Sequence, residues 1–145
     1  MQLALEEARA AEALGEVPVG AVVVVDGEVV ARAHNRRQAD ADPSAHAELL
    51  ALRAACAAAR SWRLPEAEVF VTLEPCPMCA GALLAARVAR VVFGAADPKA
   101  GALGSLYNLG VDPRLPHELE VRGGVRAEEC GELLRSFFSL RRDAL

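Results

Sequence analysis

Cys76 and Cys79 stand three positions apart in Pro75-Cys76-Pro77-Met78-Cys79, and His46 and Glu48 stand two apart in His46-Ala47-Glu48. Two thiolates and one imidazole form a donor set for zinc, and three protein ligands leave a fourth position open to water, the pattern of a catalytic site. At i and i+3 the two cysteines share one face of a first helical turn. A helix N-terminus carries partial positive charge, which favours thiolates over thiols. Pro77 suits an early helical position because it has no N–H to leave unpaired. A structural zinc site would need a fourth Cys or His at a fitting spacing, and His34 and His117 have no such pairing. A redox dithiol would leave His46-Ala47-Glu48 without a role. Cys56 and Cys130 lie singly inside helix-like stretches and read as buried small hydrophobes.

Zinc with two thiolates and a neutral imidazole sums to zero charge, so it acidifies water less than a three-imidazole site does. A nearby carboxylate must then help to take the proton, and Glu48 is the candidate. In a deamination the same group can return protons to a ring nitrogen and to the leaving amine. His-x-Glu followed by Pro-Cys-x-x-Cys is the signature of zinc deaminases acting on nucleobases, tRNA adenosine deaminases among them. The pair makes a geometric demand. Two residues apart in mid-helix, His46 and Glu48 would point to opposite sides, so a helix must start near them, with Ser44 as the expected N-cap.

The elements that would position these groups follow from periodicity. Leu3, Leu5, Ala8, Ala11 and Leu14 predict a one-faced helix over 2–14, ended by Gly15. Val22–Val25 and Val29–Ala31 flank Asp26-Gly27, a strong hairpin signal. A polar loop runs from His34 to Pro43 and carries Asn35; a helix follows from Ala45 to Ala59, with Leu49, Leu50, Leu52, Ala55 and Cys56 available for burial. Val69–Leu73 reads as a strand, Met78–Ala86 as a short apolar helix and Val91–Phe93 as a buried strand. Gly94–Gly104 is a loop too long for a mere connector. Leu119–Arg122 alternates like a fifth strand, and Glu128–Arg142 forms a closing amphipathic helix. An opening hairpin followed by alternating strands and helices predicts an α/β fold, a mixed sheet with helices on both faces. Length fits one domain over 1–145.

Hydrophobic residues make up 53% and charged residues 25%, as in soluble globular proteins, and no apolar run is long enough to span a membrane. The N-terminus lacks the layout of a signal peptide, so the expected compartment is the cytoplasm. In that compartment, four cysteines read as thiols or metal ligands rather than disulfides. The net charge of −4 argues by itself against a nucleic-acid partner. The distribution argues the other way: Arg32, Arg36 and Arg37 cluster, as do Arg135, Arg141 and Arg142, and Lys99 is the only lysine among sixteen basic residues.

Nearly the whole chain, to Arg142, resembles the tRNA-specific adenosine deaminases. The matching stretches are Glu16–Ala21, His46-Ala47-Glu48, Thr72–Ala82, Val91–Ala95, Phe137-Phe138 with Arg141-Arg142, and, most discriminating, Asp97–Ser105. The resemblance implies a three-layer α/β/α cytidine-deaminase-like fold with a five-stranded sheet, one zinc ion per subunit and a homodimer. It further implies hydrolysis of adenosine to inosine at the wobble position of a tRNA anticodon stem-loop. Asn35 then bonds the flipped-out nucleoside, and Val17, Pro18 and Ala47 belong to its pocket. Asp97, Lys99, Phe138 and Arg142 lie on the anticodon path, where aromatics stack bases and cations meet phosphates; Asp97 falls near the ribose. Of Phe137 and Phe138, one is expected in the core and one exposed. Pro116 and Ala96 depart from the family pattern, which bears on the RNA footprint but not on the chemistry. The chain also starts later than such relatives commonly do, as a trimmed or re-assigned start would. The alternatives are a zinc deaminase of a free base or nucleoside (guanine, cytosine or cytidine) and a catalytically idle subunit that binds RNA or a partner. Intact Glu48 speaks against the idle subunit. Convergence of surface arginines on one groove at the zinc pocket would separate the first reading from the second.

Overall fold

A computed structural model describes residues 1–143; residues 144 and 145, which the expected single domain also takes in, lie outside the described residues. The elements run α1 Gln2–Ala13, β1 Gly20–Val25, β2 Glu28–His34, α2 Ala47–Ala59, β3 Ala67–Leu73, α3 Pro77–Ala85, β4 Arg90–Ala95, β5 Glu120–Arg122 and α4 Ala127–Asp143. They build one mixed five-stranded sheet in the order β2-β1-β3-β4-β5, with helices on both faces, as the sequence predicts.

Asp26 and Gly27 both take positive φ, 51° and 78°, the backbone of a tight turn matched to strand twist. β1 therefore returns as β2 in antiparallel register, with a bulge at Val30 between the pairs Val23–Ala31 and Val24–Val29. β1 is also antiparallel to β3, whereas β3, β4 and β5 run parallel. Parallel neighbours need a crossover, and α3 supplies it between β3 and β4.

Alternation along the central strands separates two apolar layers. Ala21, Val23, Val69, Val71, Val91 and Phe93 join Ala51, Leu52 and Leu83 in one core under α2 and α3. The intervening positions face α1 and α4. There a Cβ on Gly20 would collide with backbone of Ala4 and Ala8, and one on Gly94 would collide with Cys130, so glycine is what lets both helices seat closely. Because β1, β3 and β4 are covered on both faces, they read as continuous apolar runs.

α2 starts at Ala47, two residues later than expected, and its N-cap is His46 rather than Ser44. Ser44 is engaged elsewhere: its hydroxyl donates to Asp42 Oδ1 at 2.7 Å. Among the described residues, no helix is long and apolar enough to cross a membrane.

Candidate metal and catalytic site

One edge of the sheet gathers the start of β1 and the ends of β2, β3 and β4, because β1 opposes its two neighbours in direction. The loops leaving that edge lead into the N-termini of α2 and α3, so the chain segments carrying His46-Ala47-Glu48 and Cys76–Cys79 converge. Burial is unusual here. The buried polar or charged residues Glu16, Asn35, Glu48, Thr72 and Glu74 all belong to this edge or its loops. Since an unpaired polar group in the interior is costly, such a cluster marks a place where chemistry outranks packing.

His46 occupies the N-cap with extended backbone, φ −76° and ψ 149°, so its side chain leaves the helix direction and can meet Glu48 in one cavity. Cys76 is likewise the N-cap of α3, with Pro77 directly after it. The His46 Nδ1 atom lies 3.7 Å from Cys76 Sγ and 3.4 Å from Cys79 Sγ. All three ligand atoms lie within 4.8 Å of one another. Tetrahedral zinc bonds of about 2.0–2.1 Å to nitrogen and 2.3 Å to sulfur would separate N from S by about 3.5 Å. The donor set therefore fits the ion in both chemistry and spacing. Hydrogen bonding from Cys79, reinforced by His46, holds the Cys76 thiol down at about 4. Cys79, donating to Cys76 and buried, is held well above the ordinary thiol range. His46 is raised by its hydrogen bond to Cys76. Metal binding at such a set displaces protons from its ligands.

Glu48, only 4% exposed, lines the same cavity of about 150 Å³. Burial pushes its carboxyl up to about 7, against a backbone hydrogen bond and the neighbouring His46. A carboxyl poised near neutrality is suited to both taking and giving a proton.

Most of the remaining expected residues arrive here too. Val17, Asn35 and Ala47 line the cavity, and so does Asp97. Asn35 donates from Nδ2 to the Val17 carbonyl and accepts from the Arg37 N–H, which leaves it one N–H and one lone pair for a ligand. Pro18 is a correction: its side chain is fully buried, and Val19, two residues beyond Val17, provides the wall instead. Successive residues of an extended segment point to opposite sides, so the expected neighbours could not both face the ligand.

A groove of about 1180 Å³ adjoins the cavity, and Val17, Leu73 and Asp97 line both. Lys99, Phe138 and Arg142 line the groove, with Arg135. As expected of the two aromatics, Phe137 is buried at 7% exposure and Phe138 stands out at 43%. The arginines divide by role. Arg32 pairs with Glu6 and Glu7, Arg36 with Asp40, and Arg135 with Glu128 and Glu132. Arg141 lies over the Phe137 ring and donates to the Gly15 carbonyl. Among the described residues, Arg37, Lys99 and Arg142 enter no ion pair. His34 bonds Glu7 and His117 bonds the Val88 carbonyl, so neither joins the metal cluster.

Two buried carboxylates beside the site have no role in the sequence reading. Glu16 accepts from the N–H groups of Gln38 and Ala39, fastening the loop after Asn35. Glu74 does the same for the loop beginning at Asp97. Both lie in stretches that match the family pattern, Glu16–Ala21 and Thr72–Ala82, and that placement beside the pocket and metal motifs is the signal the sequence offers.

The MafB19-like deaminase family model matches residues 1–142. The chain is 54% identical to a tRNA-specific adenosine deaminase of Bacillus subtilis, covering 95% of this chain and 86% of the relative. A tRNA-specific adenosine deaminase of Haemophilus influenzae is 49% identical, covering 99% of this chain and 83% of its own. Among solved structures, one from work on A-to-I editing by tRNA:A34 deaminases at the wobble position superposes with a TM-score of 0.90. It is 47% identical and covers 92% of this chain and 97% of its own. A guanine deaminase from Nitrosomonas europaea superposes with a TM-score of 0.79 at 25% identity, covering 95% of this chain and 82% of its own.

Proposed function

We propose, from the premise that this chain belongs to the MafB19-like deaminase family, that it converts adenosine to inosine at the wobble position of a tRNA anticodon. The observation that carries the substrate class is the groove. It leads away from the metal cavity and offers Lys99, Phe138 and Arg142 together, which a deaminase of a free base has no use for. We take residues 1–145 as one zinc-dependent deaminase domain, and the cytoplasm as its place of work.

His46, Cys76 and Cys79 hold the zinc ion. When bound there, zinc supplies Lewis-acid activation of a water for attack at C6 of adenine. The protein does the rest. Glu48 takes the proton of the attacking water, passes it to a ring nitrogen and then moves a proton to the departing amine. Val17, Val19 and Ala47 exclude solvent around the base, and the spare N–H and lone pair of Asn35 orient it. Asp97 lies at the junction of cavity and groove, where the ribose of the target would pass.

Phe138 and Arg142 are four residues apart on α4 and so share a face. Removing a stacked aromatic typically costs about 1–3 kcal/mol per base. Phe138→Ala should therefore raise KM for an anticodon stem-loop by roughly tenfold with kcat little changed. Arg142→Ala should weaken binding and lower the salt slope by about one. Steady-state kinetics at several salt concentrations check both; parental KM and salt slope in both variants would remove the groove from the RNA path.

We further take the active form to be a homodimer. Support comes from exposed Met78 on α3 and exposed Leu106, Tyr107 and Val111 in the segment that packs beside it. A solution mass of one chain, measured by light scattering at assay concentration, would exclude the dimer.

A further inference from the structure

Glu74 follows the last residue of β3 and precedes Pro75-Cys76, so it stands between the sheet and a metal ligand. Glu74 is only 2% exposed, and although it lines the metal cavity its carboxylate reaches into the loop beyond β4. There the two carboxylate oxygens accept four hydrogen bonds. Oε1 receives the Asp97 N–H at 3.0 Å and the Ser105 hydroxyl; Oε2 receives the N–H groups of Leu103 at 3.0 Å and Ser105 at 3.1 Å. These donors span both ends of the Asp97–Ser105 loop, so one carboxylate closes it.

The loop is built around that group. A Cβ at Gly101 would overlap the carboxyl carbon of Glu74 and the carbonyl oxygen of Asp97, so the chain can pass over the carboxylate only as glycine. The Ala102 N–H also donates to the Pro75 carbonyl at 2.9 Å, tying the loop to the segment that carries Cys76. At the other end Asp97 Oδ1 accepts from the N–H groups of Lys99 and Ala100, which shapes the turn presenting Lys99 to the groove.

We propose that Glu74 is the positioning residue of the substrate loop: its buried carboxylate holds Asp97 and Lys99 in the geometry that engages the RNA flanking the target adenosine. This rests on the tRNA reading above. Glu74 is outside the ligand cluster, and its two carboxylate oxygens are taken up by the loop, so it acts through that loop. Carboxylate is the group required, because only an acceptor with two oxygens serves four donors. An amide of the same shape would turn an N–H₂ toward two of them, and each unsatisfied buried donor is penalised.

The test compares Glu74→Gln with the parent zinc enzyme on an anticodon stem-loop carrying a wobble adenosine, with zinc content and thermal midpoint measured alongside. The expected result is a KM raised by about tenfold or more, with kcat within about twofold and full zinc, since charged hydrogen bonds are the strong ones. A KM equal to the parent's, or a loss confined to kcat, would overturn the positioning role. If Glu74→Gln loses zinc or fails to fold, Ser105→Ala decides. It deletes one hydroxyl donor to the same carboxylate at the far end of the loop. A KM about threefold higher at unchanged kcat supports the role, and a parental KM overturns it. A parent enzyme that leaves the stem-loop untouched would bring down the tRNA reading and this inference with it, and that failure is visible before any variant is made.

Discussion

The Glu48→Ala protein is expected to carry as much zinc as the parent and to deaminate on the order of 10³-fold more slowly, or not measurably. The two halves of that expectation come from different facts. Zinc is retained because the ligand cluster is His46, Cys76 and Cys79, and Glu48 is not in it. Turnover should be lost because Glu48 is a buried carboxyl lining the cavity, and in the proposed mechanism that one carboxyl handles the water proton, the ring nitrogen and the leaving amine. The other candidates along the cavity wall are engaged: His46 and Cys76 belong to the ligand cluster, the Glu74 carboxylate accepts from the N–H groups of Asp97, Leu103 and Ser105, and Asp97 accepts from those of Lys99 and Ala100. Elemental analysis beside a single-turnover assay checks both halves. Loss of zinc in this variant would make Glu48 a ligand and overturn the division of roles.

Removing a ligand has an equally large but different signature. Cys79→Ala should abolish both metal and turnover while leaving the far-ultraviolet circular dichroism of the sheet and helices nearly intact. The fold holds because its two apolar layers are complete without the ion: Ala21, Val23, Val69, Val71 and Val91 are buried by α2 and α3, not by the metal. A chain of this length buries enough surface to need no metal staple. Chelation of the parent should give the same state, restored by added zinc, with protons released on binding. A Cys79→Ala protein with full zinc and parental activity would refute the ligand assignment, and a wholly unfolded one would make the site structural.

The chemistry was legible in the sequence because ligand spacing is a local property. Cys76 and Cys79 could share a helical turn only in one way, and the convergence of His46 with Glu48 forced a helix start between them. The structure meets that demand through His46 itself as N-cap. Ser44 misled because a good capping residue has other partners available, here Asp42. The hairpin was legible for the same local reason, Asp26-Gly27 being suited to positive φ. What the sequence hid was long-range. Glu16 and Glu74 gain their roles from backbone donors 22 to 31 positions away, which no window along the chain reveals. The arginines were hidden likewise: of the clusters at 32–37 and 135–142, Arg32, Arg36, Arg135 and Arg141 are spent on internal partners. Arg37 at the cavity and Lys99 and Arg142 in the groove enter no ion pair among the described residues, so an overall charge of −4 still leaves cations beside the site. Val19 lines the cavity where Pro18 was expected because side-chain direction in an extended segment depends on a register the sequence left open.

The most direct measurement is inosine formation in an anticodon stem-loop RNA bearing adenosine at the wobble position, run beside free adenosine, cytidine and guanine. Deamination of the stem-loop, with the three small molecules left unchanged, is the predicted result and would make Lys99, Phe138 and Arg142 the RNA contacts to dissect. Turnover of a free base or nucleoside with the stem-loop untouched would keep the zinc chemistry and contradict the tRNA substrate.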